Sequence, residues 1–263
     1  MQNPPREVVI TFFASVIFWV FVVGFIWIWG GRWERLQGFR NRMLKQWRPA
    51  LGITMFYLVS ALLSGRGLNP YGLVIFCQVL LGLTIAQGIP DFEALPVARS
   101  ILGRERVASN IFLFVVFGSL AGLLGMVFGS LGMGIAQNIF HEPSFTSEVM
   151  QEFPANKIRL FFMLLAGGGM AEETTYRLLV LSLLWAVTKR PWLAIFVSAL
   201  IHSAYHLTPL NQLYLTFLQF PISQFLSGVL VGTVWGYVFV KRGFETASLA
   251  HTMSDWIPML LFM

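Results

Sequence analysis

The sequence predicts an all-α fold, a polytopic transmembrane helical bundle of about eight spans with one amphipathic surface helix. Three observations predict it. Of 263 residues, 56% are hydrophobic and 11% charged, whereas soluble domains carry about a quarter charged residues. The apolar residues fall into runs long enough to cross a hydrocarbon core, roughly 17–25 residues each. The basic residues gather in short segments between those runs. At about 20 residues per span plus loops, residues 1–263 make one integral membrane domain with no soluble domain beside it.

The net charge of +6 would suggest nucleic acid in a soluble protein. Here it lies in inter-helix loops, where it orients a membrane protein, so no nucleic-acid partner is expected. The single cysteine, Cys77, excludes a disulfide framework.

The first span runs from about Val8 to Gly30, too long and aromatic for a signal segment and without a small-residue cleavage site, so it reads as retained. From Arg32 to Arg48 the residues Trp33, Leu36, Phe39, Met43 and Trp47 recur at roughly helical spacing among arginines, the pattern of a helix lying on the membrane surface. Spans two and three are Pro49 to Leu63 and Tyr71 to Gln87, joined by a Gly- and Pro-containing loop. Pro90 to Asn110 is a charged loop. In span four, Ile111 to Gln137, glycines 118, 122, 125, 129 and 132 step by four or three residues, a small-residue stripe that lets another helix approach. His141 to Lys157 is an acidic loop. Span five is Ile158 to Val187, and span six follows Pro191 to about Leu207. Span seven is Leu210 to Val240, with a kink expected at Pro221, and span eight is Phe244 to Phe262. With this count the basic segments 32–48, 99–106, 189–190 and 241–242 share one side and the acidic segment 142–152 the other. The basic side is then cytoplasmic, and a bacterial inner membrane is the expected location.

Ionisable side chains inside spans cost at least about 2.5–3.5 kcal/mol each on insertion scales and are usually functional. They cluster in the C-terminal part: Glu172, Glu173 and Arg177 in span five, His202 and His206 in span six, His251 and Asp255 in span eight. His202 and His206 are four residues apart and share a helix face, as do His251 and Asp255. Glu173 and Arg177 are also four apart, in the order that favours a pair, which leaves Glu172, about 100° round the helix, as the free carboxylate. A carboxylate beside imidazoles in a low-dielectric pocket can act as a general base toward water, or can join them as a zinc site. In the second case Glu172, His206 and His251 are the candidate ligands; in the first the histidines orient water or stabilise an oxyanion. A proton relay in an ion-coupled transporter would use the same groups, and a non-catalytic scaffold would leave them structural.

These residues carry a resemblance. Glu172-Glu-Thr-Thr-Tyr-Arg177 is similar to the Glu-Glu-x-x-x-Arg motif of the CPBP intramembrane proteases, which include the type II CAAX prenyl endopeptidases and the bacterial Abi proteins. Val197-Ser-Ala-Leu-Ile-His-Ser-Ala-Tyr-His-Leu207 resembles the second motif, Phe-x-x-x-His, and His251-Thr-Met-Ser-Asp255 the third, His-x-x-x-Asn/Asp. The departure is at the second motif, where His202 stands four residues before His206 in place of Phe. The resemblance implies an intramembrane endopeptidase in which Glu172 activates water with His206, His251 and Asp255 complete the site, and Glu173, Arg177 and His202 support it. It also implies a peptide or protein substrate at the membrane, lipidated or itself a membrane segment, with the lipid bilayer as the surrounding partner. The family is called metalloprotease, which makes a divalent metal, zinc, the candidate cofactor, with a Glu–His pair acting without metal as the alternative.

Overall fold

The computed structural model describes residues 33–67, 70–143, 153–154, 156–211 and 213–262; the expected first span and most of the acidic loop lie outside them. The described residues form helices α1 (Trp33–Leu63), α2 (Tyr71–Ala86), α3 (Pro96–Gly103), α4 (Val107–Phe140), α5 (157–188), α6 (Pro191–Tyr205), α7 (Tyr214–Phe217) and α8 (Pro221–Phe262). No strand occurs among them. Two of these, Val107–Phe140 and Pro221–Leu261, are long and apolar enough to cross a membrane, and Tyr71–Ala86 and Pro191–Tyr205 are shorter apolar helices.

Three expectations need correcting. The surface helix and span two are one helix, α1, which runs through Pro49 without a break. The charged loop at 90–110 holds α3, whose first turn is capped by a distant carboxylate: Glu245 accepts from Val97 N at 3.0 Å and Ala98 N at 2.7 Å. Span seven does not run from Leu210 with a kink at Pro221. Pro221 starts α8 instead, because proline suits a first helical position, where its missing N–H costs nothing. The next two amides, Ile222 N and Ser223 N, donate to Glu142 at 2.9 and 2.6 Å. The expected boundary between spans seven and eight is the break at Gly243 inside α8, with φ of 79°. A side chain there would also meet Ala94 O at 2.7 Å, so both backbone angle and space favour glycine.

One end of the molecule collects the basic segments. Gln46 bonds Gln87, Phe92 packs on Trp185 and Phe239, and Phe244 N donates to Ala94 O. At the other end Glu142 caps α8, Arg159 donates to Ser64 O at 2.7 Å, and Trp256 donates to Lys157 O at 3.1 Å.

The glycine stripe of α4 faces α8. A Cβ at Gly122 would lie 3.1 Å from Ala250 O, and one at Gly132 would lie 2.6 Å from Ser227 N, so the two longest helices meet backbone to backbone. A second stripe, Gly228, Gly232 and Gly236, admits α6 to α8 against Ser203, Ala199 and Ile195. In lipid, where no hydrophobic force drives helices together, this close packing is what holds them. Gly122→Leu is expected to lower the thermal unfolding midpoint in detergent, with an overpacking cost of about 1–3 kcal/mol. Gly134, which meets nothing within 4 Å, is the control, and equal effects at both positions would contradict this packing.

Candidate active site

The site forms where α5, α6 and α8 meet. α5 is not a regular α-helix over its middle: Leu165–Glu172 and Thr174–Leu181 are π-helical, a wider winding that is costly in isolation and frequent at functional sites. Gly167, Gly168 and Gly169 precede the carboxylates. A Cβ at Gly168 would lie 2.7 Å from His251 Nε2, and one at Gly169 would strike Thr252 Oγ1. The glycines therefore let the second half of α8 reach the α5 backbone and bring His251 beside Glu172 and Glu173.

α6 supplies the other imidazoles. Its 15 residues span about 22 Å at 1.5 Å each, short of the roughly 30 Å hydrocarbon core. The helix ends at Tyr205 with His206 as its C-cap. In the irregular segment that follows, residues 206–208 are half-buried and Asn211 is buried while Pro209 and Leu210 are exposed, and Phe217 meets His206 edge-on, 5.5 Å between ring centres. Non-helical backbone at membrane depth is tolerated where protein covers it.

Glu172 is the hub. Its Oε2 lies 2.8 Å from His202 Nε2, 3.7 Å from His206 Nε2 and 3.9 Å from His251 Nε2. Its side chain keeps 20% exposure, whereas those of Glu173 and Arg177 have none. Asp255 Oδ2 is 3.4 Å from His251 Nε2, at the more exposed edge. Thus the structure brings all seven of the sequence-selected residues into one cluster.

Two pairings differ from the expectation. Glu173 does lie 3.4 Å from Arg177 Nη1, but its nearer partner is His251, whose Nδ1–H donates to Glu173 Oε1 at 2.8 Å. His202 is not a bystander. It is closer to Glu172 than His206 is, and its Nδ1 receives Arg177 Nη1 at 3.1 Å. Arg177 also donates to Gly232 O at 3.2 Å.

Sequence reasoning missed Trp235, Tyr176 and the glycines of α5 and α8. Trp235 stacks on His251 with 3.5 Å between ring centres and 19° between planes, and the Arg177 guanidinium lies 5.2 Å from its ring centre. Tyr176 covers His202 at 4.6 Å. The spacing rule that exposes the stripe on α4 would also have found Gly228, Gly232 and Gly236, which place Trp235 on the inner side of α8.

The donor atoms of Glu172, His202 and His206 lie within 4.8 Å of one another, close enough for a shared metal ion; His251 is not a member of that group. The hydrogen bonds decide whether the donors suit zinc, which needs an imidazole lone pair. His206 Nδ1 lies 3.0 Å from the His202 carbonyl, an acceptor only, so Nδ1 carries a proton and in the neutral ring the lone pair is at Nε2. His202 is the opposite, because Arg177 can only donate and takes the lone pair at Nδ1. That group of three as bonded therefore offers one carboxylate and one imidazole lone pair, and His251 Nε2, 3.9 Å from Glu172 Oε2 with the ring's Nδ1 proton on Glu173, is the further imidazole nitrogen beside it.

Residues 154–257 match the family model for type II CAAX prenyl endopeptidase Rce1-like proteins. No curated protein and no solved structure matches the chain. The matched span contains every residue of the cluster.

The Glu173–Arg177 pair gives a stability prediction. Glu173→Gln strands a fully buried guanidinium, and losing one partner of such a pair costs about 3–5 kcal/mol. Its thermal midpoint in detergent should fall well below that of Glu172→Gln, whose carboxylate is partly exposed. Equal midpoints for the two variants would contradict the pairing.

Proposed function

We propose that the protein is a multi-pass intramembrane endopeptidase that hydrolyses a peptide bond in a membrane-associated or lipidated peptide, using Glu172 as the base. The observation that carries this reading is the convergence of three imidazoles on one carboxylate oxygen, at 2.8, 3.7 and 3.9 Å, within the residues that match an endopeptidase family model. The basic end would face the cytoplasm of a bacterial cell.

The chemistry follows from the donors. Water between Glu172 and the His206 Nε2 lone pair gives a proton to Glu172 as its oxygen adds to the scissile carbonyl carbon. His251, with its Nδ1–H on Glu173, Asp255 Oδ2 3.4 Å from its Nε2 and Trp235 stacked on its ring, would stabilise the developing oxyanion through a proton on Nε2. The tetrahedral intermediate collapses, the C–N bond breaks, and the proton on Glu172 passes to the leaving amine. No step needs a metal. Removing a positioned general base costs about 10²–10⁴-fold.

The test compares protein and peptide termini in cells that carry the wild type or Glu172→Gln at equal abundance. A terminus present only with the wild type is expected, and its sequence names the substrate. Identical termini in both, under conditions where the gene matters, would refute the reading and favour a carrier or a scaffold.

A further inference from the structure

We infer that His202 is a locked N–H donor that positions Glu172, its tautomer set by Arg177, and that it is neither the water-facing imidazole nor a metal ligand. The starting point is the Arg177 Nη1 to His202 Nδ1 contact of 3.1 Å. A guanidinium has five donors, no acceptor and no neutral form in proteins. Nδ1 must therefore present its lone pair. A neutral imidazole has one ring proton, and here only Nε2 is left to hold it. Nε2 lies 2.8 Å from Glu172 Oε2, a charge-assisted distance. An imidazolium would set N–H against N–H at Arg177 and lose that bond.

The surroundings leave the ring no alternative. His202 is 2% exposed, with Tyr176 4.6 Å and Trp235 5.9 Å from its ring centre. Arg177 is tied in turn to Gly232 O and Glu173. A Cβ at Gly232 would lie 3.2 Å from Arg177 Nη2, so the bare backbone of α8 completes the seat of the guanidinium. The chain Arg177, His202, Glu172 thus runs in one donor direction and ends by fixing one carboxylate oxygen. His206, one turn on, has the opposite tautomer, with its Nδ1 proton on the His202 carbonyl. Two histidines four residues apart are consequently unlike: His202 Nε2–H donates to Glu172, whereas His206 Nε2 stands 3.7 Å from the same oxygen and in its neutral Nδ1–H form has no proton there to donate. A metal held by Glu172, His202 and His206 together would require the His202 Nε2 lone pair, which the arginine denies it.

The positioning role rests on Glu172 being the reacting group. The tautomer does not, and it is read without any substrate, so failure of one is distinguishable from failure of the other. The full chain in detergent micelles, labelled with ¹⁵N-histidine, gives two-bond ¹H–¹⁵N correlations for His141, His202, His206 and His251, each assigned by a single His→Gln variant. His202 is expected as the neutral Nε2–H tautomer and His206 as the neutral Nδ1–H tautomer. Added Zn²⁺ should leave the His202 Nε2–H signal in place, and Glu172→Gln should move its proton upfield by removing a charged acceptor. An Nδ1–H tautomer or imidazolium at His202, loss of its Nε2–H on adding Zn²⁺, or no shift in Glu172→Gln would each overturn the inference.

Discussion

The candidate site depends on one buried ion pair. Glu173 and Arg177 have no exposed side-chain surface and meet at 3.4 Å, one helical turn apart on α5. With both side chains fully buried, either charge left alone would be strongly destabilising, so each requires the other, and together they reach across to two further helices. Glu173 takes the Nδ1 proton of His251 on α8, and Arg177 occupies Nδ1 of His202 on α6. Both histidines are thus held from behind, and both turn Nε2 toward the same oxygen of Glu172. The pair costs desolvation and is poor evidence of stability in itself. Its effect is to fix orientation and tautomer.

That arrangement requires unusually close helices, and glycine supplies the closeness in three places: the stripe of α4 against α8, the stripe of α8 against α6, and Gly168–Gly169 of α5 against Thr252 and His251. Larger residues at these positions would hold the imidazoles away from Glu172. The π-helical winding of α5 belongs to the same constraint, since it lies where the two adjacent carboxylates must address different neighbours. Trp235 then fills the space between His251 and Arg177.

Much of this was legible in the sequence, for physical reasons. Charges are costly in apolar runs, so Glu172, Glu173, Arg177, His202, His206, His251 and Asp255 stand out from composition alone, and helical spacing puts most of them on shared faces. The α4 stripe was readable the same way. What escaped reading is what depends on distance between helices. Spacing within α5 paired Glu173 with Arg177 but could not show that His251 is nearer. Context made His206 the motif histidine and left His202 as a supporting group, because nothing local reveals that Arg177 reaches its ring. Proline was misread at Pro221, where the capping carboxylate, Glu142, is 79 residues away in sequence, and Pro49 interrupts nothing because α1 continues through it.

The most direct test of the account is the position of the Glu172 carboxylate itself. Glu172→Asp keeps the charge and withdraws it by one methylene from the three imidazoles. The measurement is turnover of the reconstituted protein on a peptide spanning the bond whose cleavage depends on the wild type. A misplacement of about 1 Å costs on the order of a hundredfold, so the aspartate variant should cleave little better than Glu172→Gln. Turnover within a few fold of the wild type would contradict the account, because a carboxylate anywhere in the pocket would then suffice.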